Sequence, residues 1–150
     1  MTLTLATVYD ILQEHHLLKE FILPDGWHLA KKQLPTMTFG KISYDSRQAD
    51  SDTLFFAKGA TFKEDYLVKA KEQGLLAYVA EQPYEVALAC GIIVTDIRKA
   101  MALLSMAFYD YPQNQLKVLA FTGTKGKTTA AYFAHGILQQ ATGNKCAMLS

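Results

Sequence analysis

The chain has 150 residues, half of them hydrophobic, which is enough to bury one solid core and too few for two full domains of ordinary size. Its 15 basic and 14 acidic residues leave a net charge of +1, so no chain-wide positive field is available to hold a nucleic-acid backbone. Cys90 and Cys146 form no C-x-x-C pair, the N-terminus lacks a basic-then-apolar leader, and no apolar run approaches the roughly 20 residues that span a bilayer. A soluble protein of the reducing cytoplasm is expected, with no membrane or nucleic-acid partner.

Val8, Ile11, Leu12 and Leu18 fall near helical spacing and predict a helix over 7–18, with Thr7 as its N-cap. From Phe21 to Phe39, Pro24, Gly26 and Pro35 interrupt single apolar residues without a period, predicting irregular structure or short strands. Two strands are predicted next, at 41–44 and 53–57, separated by the polar turn Asp45-Ser46-Arg47-Gln48-Ala49-Asp50. Tyr66, Leu67, Ala70 and Lys71, closed by Gly74, predict a helix, and 76–80 and 92–95 have the composition of buried strands. Asp96 can cap a helix whose stripe of Ile97, Ala100, Met101, Leu104, Ala107 and Phe108 must stop before Pro112. The turn-forming stretch 110–115 marks a boundary, giving domains at 1–112 and 113–150. After it come a predicted strand at 116–121, a glycine loop, a helix over 128–141 and a final strand at 145–149. Parallel strands need neighbours, so 113–150 is expected to be the opening βαβ piece of a larger, truncated sheet.

Gly123-Thr124-Lys125-Gly126-Lys127-Thr128-Thr129 carries the clearest chemistry. Placed between a strand and a helix, its glycines let successive N–H groups turn inward on an anion. The helix N-terminus adds roughly half a positive charge at the same point. Lys127 can reach the β- and γ-phosphates of a nucleotide, and the Thr128 hydroxyl suits Mg²⁺. The spacing is G-x-x-G-K-T, with Phe121 where the longer phosphate loop has its first glycine. Ala130, Phe133, Ala134, Ile137, Leu138 and Ala141 form a packing stripe on the helix after the loop. His15, His16 and His28 have no Cys, Asp or Glu at metal-ligand spacing, so a zinc site is not expected, and His135 reads as a surface or packed histidine.

Thr122 to Thr129 resembles the T-G-T-x-G-K-T-[ST] loop of the Mur ligases and of folylpolyglutamate synthases. Upstream, Tyr44-Asp45-Ser46-Arg47, then Leu54-Phe55-Phe56-Ala57-Lys58-Gly59, then Asp65, resemble the D-S-R…L-F-x-A-x-x-G…D pattern of the Mur ligase N-terminal domain, which the synthases lack. The resemblance covers about 42–150 and is nearest to the members that add the third residue of the peptidoglycan stem. It implies an α/β fold, with a small domain for a UDP-sugar followed by the first strand, phosphate loop and helix of a P-loop ATPase domain.

It further implies an ATP- and Mg²⁺-dependent amide ligase that acts through an acyl phosphate on UDP-N-acetylmuramoyl-L-alanyl-D-glutamate in cell-wall synthesis. Lys127 is the implied catalytic cation and Thr128 the magnesium ligand, with Thr129 on another phosphate. Ser46 carries over most directly to the UDP end, with Asp45, Arg47, Gly59, Ala60 and Thr61 around it; its hydroxyl can donate and accept. For Asp45 and Arg47 a turn-forming carboxylate and a structural ion pair are the alternative. Some diaminopimelate-adding members have His-Gln after the glycine, where this chain has Ala60-Thr61, and Lys125 stands where many members have Asn, as in the lysine-adding enzymes. L-lysine is therefore the expected amino acid, with diaminopimelate the alternative. The remaining magnesium ligands and the amino-acid site would lie beyond Ser150, so a monomer inactive by itself is expected. Rival readings are another P-loop amide ligase, such as a different Mur ligase or a cyanophycin-synthetase-like enzyme, and a non-catalytic UDP-sugar-binding module.

Overall fold

The computed structural model of the chain describes residues 1–28, 30–59, 62–86, 90–143 and 145–149. The backbone forms two compact units, Met1–Pro112 and Gln113–Ser150.

In chain order the first unit holds β1 (Leu3–Thr4), α1 (Leu5–Glu14), β2 (Leu18–Leu23), β3 (Gly26–His28), β4 (Thr38–Phe39), β5 (Lys41–Ser43), β6 (Thr53–Phe56), α2 (Glu64–Glu72), β7 (Ala77–Ala80), β8 (Cys90–Val94) and α3 (Ile97–Phe108). β1 pairs with β4, and the other six strands form one sheet in the order β3-β2-β8-β7-β6-β5. β5 to β8 run parallel, while β2 lies antiparallel to β8 and β3 closes a hairpin on β2.

Every residue of β6, β7 and β8 is buried. Their near-continuous apolar sequence accounts for this, being the mark of strands covered on both faces. Alternation sorts the side chains. Leu54, Phe56, Val79, Ile92 and Val94 pack with Val8 and Leu12 of α1 and Ala100 and Leu104 of α3. Phe55, Tyr78, Ala80 and Ile93 face Leu67 and Ala70 of α2. The Cys90 thiol sits in the α1–α3 layer, where burial pushes its pKa up to about 12, so it behaves as a small core hydrophobe.

The helix ends follow their caps. Asp96 accepts from the N–H groups of Arg98 and Lys99, both at 3.0 Å, and starts α3 as expected. Gly74, at φ +96°, terminates α2 in a conformation few other residues tolerate. α1 starts earlier than its apolar spacing predicts: Thr4, not Thr7, is the N-cap, and its hydroxyl accepts from the Thr7 N–H at 3.1 Å. Leu18 belongs to β2 rather than to the helix, because His16 adopts φ +54° and ends the helical run. The short-strand alternative for the proline- and glycine-rich stretch is realised as β3 and β4 and the end of β2.

In the second unit α4 (Lys127–Thr142) is the expected helix, closed by Gly143 at φ +65°. The strands predicted at 116–121 and 145–149 are not formed. A strand is held by hydrogen bonds to its neighbours, and this unit has no second strand among its described residues to supply them. Leu116, Val118, Leu119 and Phe121 consequently remain exposed.

Gly91 of β8 lies directly beneath the buried Tyr78 ring. A Cβ there would stand 2.9 Å from the phenolic oxygen and 3.0 Å from the carbon that bears it. The same oxygen accepts from the Tyr84 N–H at 3.3 Å, so the ring has a reason to stay. Gly91→Ala should cost about 1–3 kcal/mol through overpacking. Urea denaturation checks this, and the loss should be smaller in a Tyr78→Phe background, where the nearest atom is gone.

Candidate functional site

In open α/β sheets, ligands settle outside the carboxyl ends of the parallel strands. At that end of this sheet, β5 runs into Tyr44-Asp45-Ser46-Arg47 and β6 into Ala57-Lys58-Gly59. The ladder continues one residue past β6, where the Ala57 N–H donates to Val79 O at 2.9 Å, and the Lys58 N–H then donates to Phe56 O at 3.0 Å in a tight turn. Gly59 comes next at φ +111°, with nothing within 4 Å of where a Cβ would sit, so backbone there is open to a ligand. Ala60 and Thr61 lie outside the described residues.

The turn after β5 is a built structure. Ser43 Oγ accepts from the Asp45 N–H at 3.0 Å. Asp45 caps a short 3-10 turn, Ser46–Gln48, by accepting from the Arg47 N–H at 3.0 Å. The Arg47 side chain completes a fork on the same carboxylate, from Nε at 2.9 Å and from an outer nitrogen at 2.7 Å. These donors, the side chain first, hold the Asp45 carboxyl down at about 2. Asp45 and Arg47 thus form a turn and an ion pair. Ser46 is half-buried, and among the described residues its hydroxyl makes no hydrogen bond. With its amide oriented to suit its neighbours, Gln73 donates to Ser46 O at 3.2 Å and to Ala49 O at 3.1 Å, tying the turn to the end of α2. Ser46 and Gly59 stand on adjacent turns that touch through Lys58, whose ammonium lies 4.5 Å from the centre of the Tyr44 ring. The sequence carries no signal for that contact, because Tyr44 and Lys58 share no helical or strand period.

The second candidate site is the loop before α4. Gly123 and Gly126 adopt φ +148° and +78°, which L side chains rarely do, and Gly126 is the N-cap of α4. α1 and α3 have side-chain caps, and α2 carries Glu64 and Asp65 in its first turn. α4 has neither a side-chain cap nor a first-turn acid, so its leading N–H groups and partial positive charge are left for an external anion. Lys127 Nζ reaches back to donate to Gly123 O at 2.7 Å, which places its charge over the loop. Thr124, Lys125, Thr128 and Thr129 are exposed around it. This donor set fits a nucleotide phosphate, and a hydroxyl at Thr128 fits a hard cation beside it.

No family model matches the chain. Curated relatives do: UDP-N-acetylmuramoyl-L-alanyl-D-glutamate--L-lysine ligase of Enterococcus faecalis is 58% identical over 151 residues, covering all of this chain and 30% of the relative. The protein of the same description in Streptococcus pneumoniae is 55% identical over 146 residues, covering 97% of this chain and 29% of the relative. Among solved structures, MurF from Acinetobacter baumannii superposes with a TM-score of 0.55 at 32% identity, over 73% of this chain and 24% of that one. The chain belongs to the Mur ligase family. It spans about 30% of the length of the curated Mur ligases that it matches.

The Asp45–Arg47 fork has a pH signature. A carboxyl held at about 2 contributes to stability above its ordinary value of 3.8, and the contribution is lost as pH falls through the folded value. A carboxyl-detected NMR titration should find Asp45 with its midpoint near 2, and Arg47→Gln should move that midpoint up toward 3.8. An ordinary midpoint in the unmodified chain would mean that the fork does not persist in solution.

Proposed function

We propose that the whole protein is a cytoplasmic ATP-dependent ligase that joins L-lysine to UDP-N-acetylmuramoyl-L-alanyl-D-glutamate. The observation that carries this is the 58% identity to a relative of that description across the full length of the chain, both candidate sites included. On this reading Met1–Pro112 holds the nucleotide sugar, and residues 113–150 are the start of the ATP-binding domain.

The residues divide the work accordingly. Ser46 offers its hydroxyl to the uracil edge or to a diphosphate oxygen. The Asp45–Arg47 fork holds the Ser46 turn in shape, and the open backbone at Gly59 meets the same ligand; by family resemblance Ala60 and Thr61 belong to this site as well. In the phosphate loop, the amides of 124–128 and the Lys127 ammonium cradle the β- and γ-phosphates, with Thr128 on Mg²⁺ and Thr129 on another phosphate. ATP supplies the phosphoryl group that turns the substrate carboxylate into an acyl phosphate open to attack by the amino acid's amine. The chain's contribution to that step is positioning and charge neutralisation by Lys127 and the uncapped end of α4. The descriptions of the relatives support lysine over diaminopimelate as the amino acid, in line with the resemblance at Lys125, and a monomer suffices for this scheme.

Phosphate release by the whole protein should require ATP, Mg²⁺, the UDP-dipeptide and L-lysine together. Lys127→Ala should lower kcat by about 10²–10³, the usual effect of removing one group that stabilises developing charge. Ser46→Ala should instead raise KM for the nucleotide sugar about tenfold, the effect of one lost hydrogen bond of about 1.4 kcal/mol. Equal turnover with diaminopimelate would overturn the choice of lysine, and turnover independent of the UDP-dipeptide would overturn the ligase reading.

A further inference from the structure

The cations at the carboxyl end of the parallel strands are in different electrostatic states. Arg47 is neutralised by the Asp45 carboxylate at 2.7 Å. Lys19 donates to the backbone carbonyl of Glu81 at 3.1 Å, and Lys99 stands 3.8 Å from the Asp96 carboxylate. Lys63 is exposed ahead of α2, with nothing among the described residues to hold it. Lys58 differs from all of these. It comes directly after the last ladder bond of β6, is half-buried, and has its ammonium 4.5 Å from the centre of the Tyr44 ring. Among the described residues it forms no ion pair.

An aromatic face attracts a cation through its quadrupole without supplying a counter-charge. The ring therefore restricts the ammonium to one place, which lowers the side-chain entropy lost on binding, while leaving its full charge for an incoming anion. Tyr44 and Lys58 lie on turns from neighbouring parallel strands, one residue before Asp45-Ser46 and one before Gly59. A group held by Ser46 and the Gly59 backbone would thus be bordered by this one pre-positioned, uncompensated cation.

We infer that Lys58, held on the Tyr44 ring, is the residue that receives the diphosphate of a nucleotide bound at this end of the sheet. This rests on the reading of the first unit as a nucleotide-sugar binder. Lys58 is a binding residue and Tyr44 a positioning one.

Calorimetric titration of the chain with UDP and with uridine separates the contributions. Lys58→Met keeps the aliphatic stem and removes the charge; it should weaken UDP about tenfold, leave uridine unchanged and flatten the salt dependence of UDP binding. Tyr44→Leu should weaken UDP in the same sense, and Tyr44→Phe, which keeps the ring, should restore wild-type affinity. A Lys58→Met variant that binds UDP like the wild type, or that loses uridine as strongly as UDP, overturns the inference while leaving the nucleotide-sugar reading intact. Failure of the unmodified chain to bind UDP overturns both.

Discussion

Burial of β6, β7 and β8 on both faces is the constraint on which the first unit depends. Strands covered on both sides cannot slip by one residue, since Leu54, Phe56, Val79 and Ile92 would exchange the α1–α3 layer for the α2 layer. With register settled, the points where the chain leaves the ladder are settled as well. Tyr44, Lys58 and Glu81 each emerge at the same edge of the sheet, and the candidate site is built from the turns that begin at the first two. Gly91 belongs to the same constraint: the α2 layer closes over Tyr78 only because β8 has no side chain at that point.

The two candidate sites use backbone polarity in opposite ways. At the Ser46 turn, the carboxylate of Asp45 and the amide of Gln73 take up the local donors and acceptors, so the turn is rigid before any ligand arrives. At α4 the helix end is left without a cap and only Lys127 closes the loop on itself. The first arrangement presents one hydroxyl in a defined place, suited to selecting a particular ligand. The second presents several unspent donors, suited to gathering negative charge wherever it is densest.

Much of this is legible in the sequence because it is local. β6, β7 and β8 are readable as apolar runs to within a residue or two, Asp96 as a cap, Gly74 as a stop, and the glycines of the loop before α4 as the positions that need positive φ. The unread parts depend on residues far apart in the chain. Glu81 caps α3 from 16 residues away, its carboxylate accepting from the Ile97 N–H at 2.9 Å. The Tyr44–Lys58 contact exists only because β5 and β6 are neighbours. The run at 116–121 has strand composition but no neighbouring strand, and composition alone carries no information about whether a partner is there.

The sheet ends in two short strands, β5 on one side and β3 on the other, each of three residues. β5 opens with Lys41, which is paired to Asp50 and keeps a charged group at that border, and β3 comes after a tight turn containing Pro24. An unpaired border strand is where another chain can add itself, and length and apolar surface are what such addition needs. Both borders are three residues long, and although Trp27 of β3 is exposed, neither presents a run of apolar surface, so the first unit can keep a strongly apolar sheet at cellular concentration without feeding intermolecular strand growth.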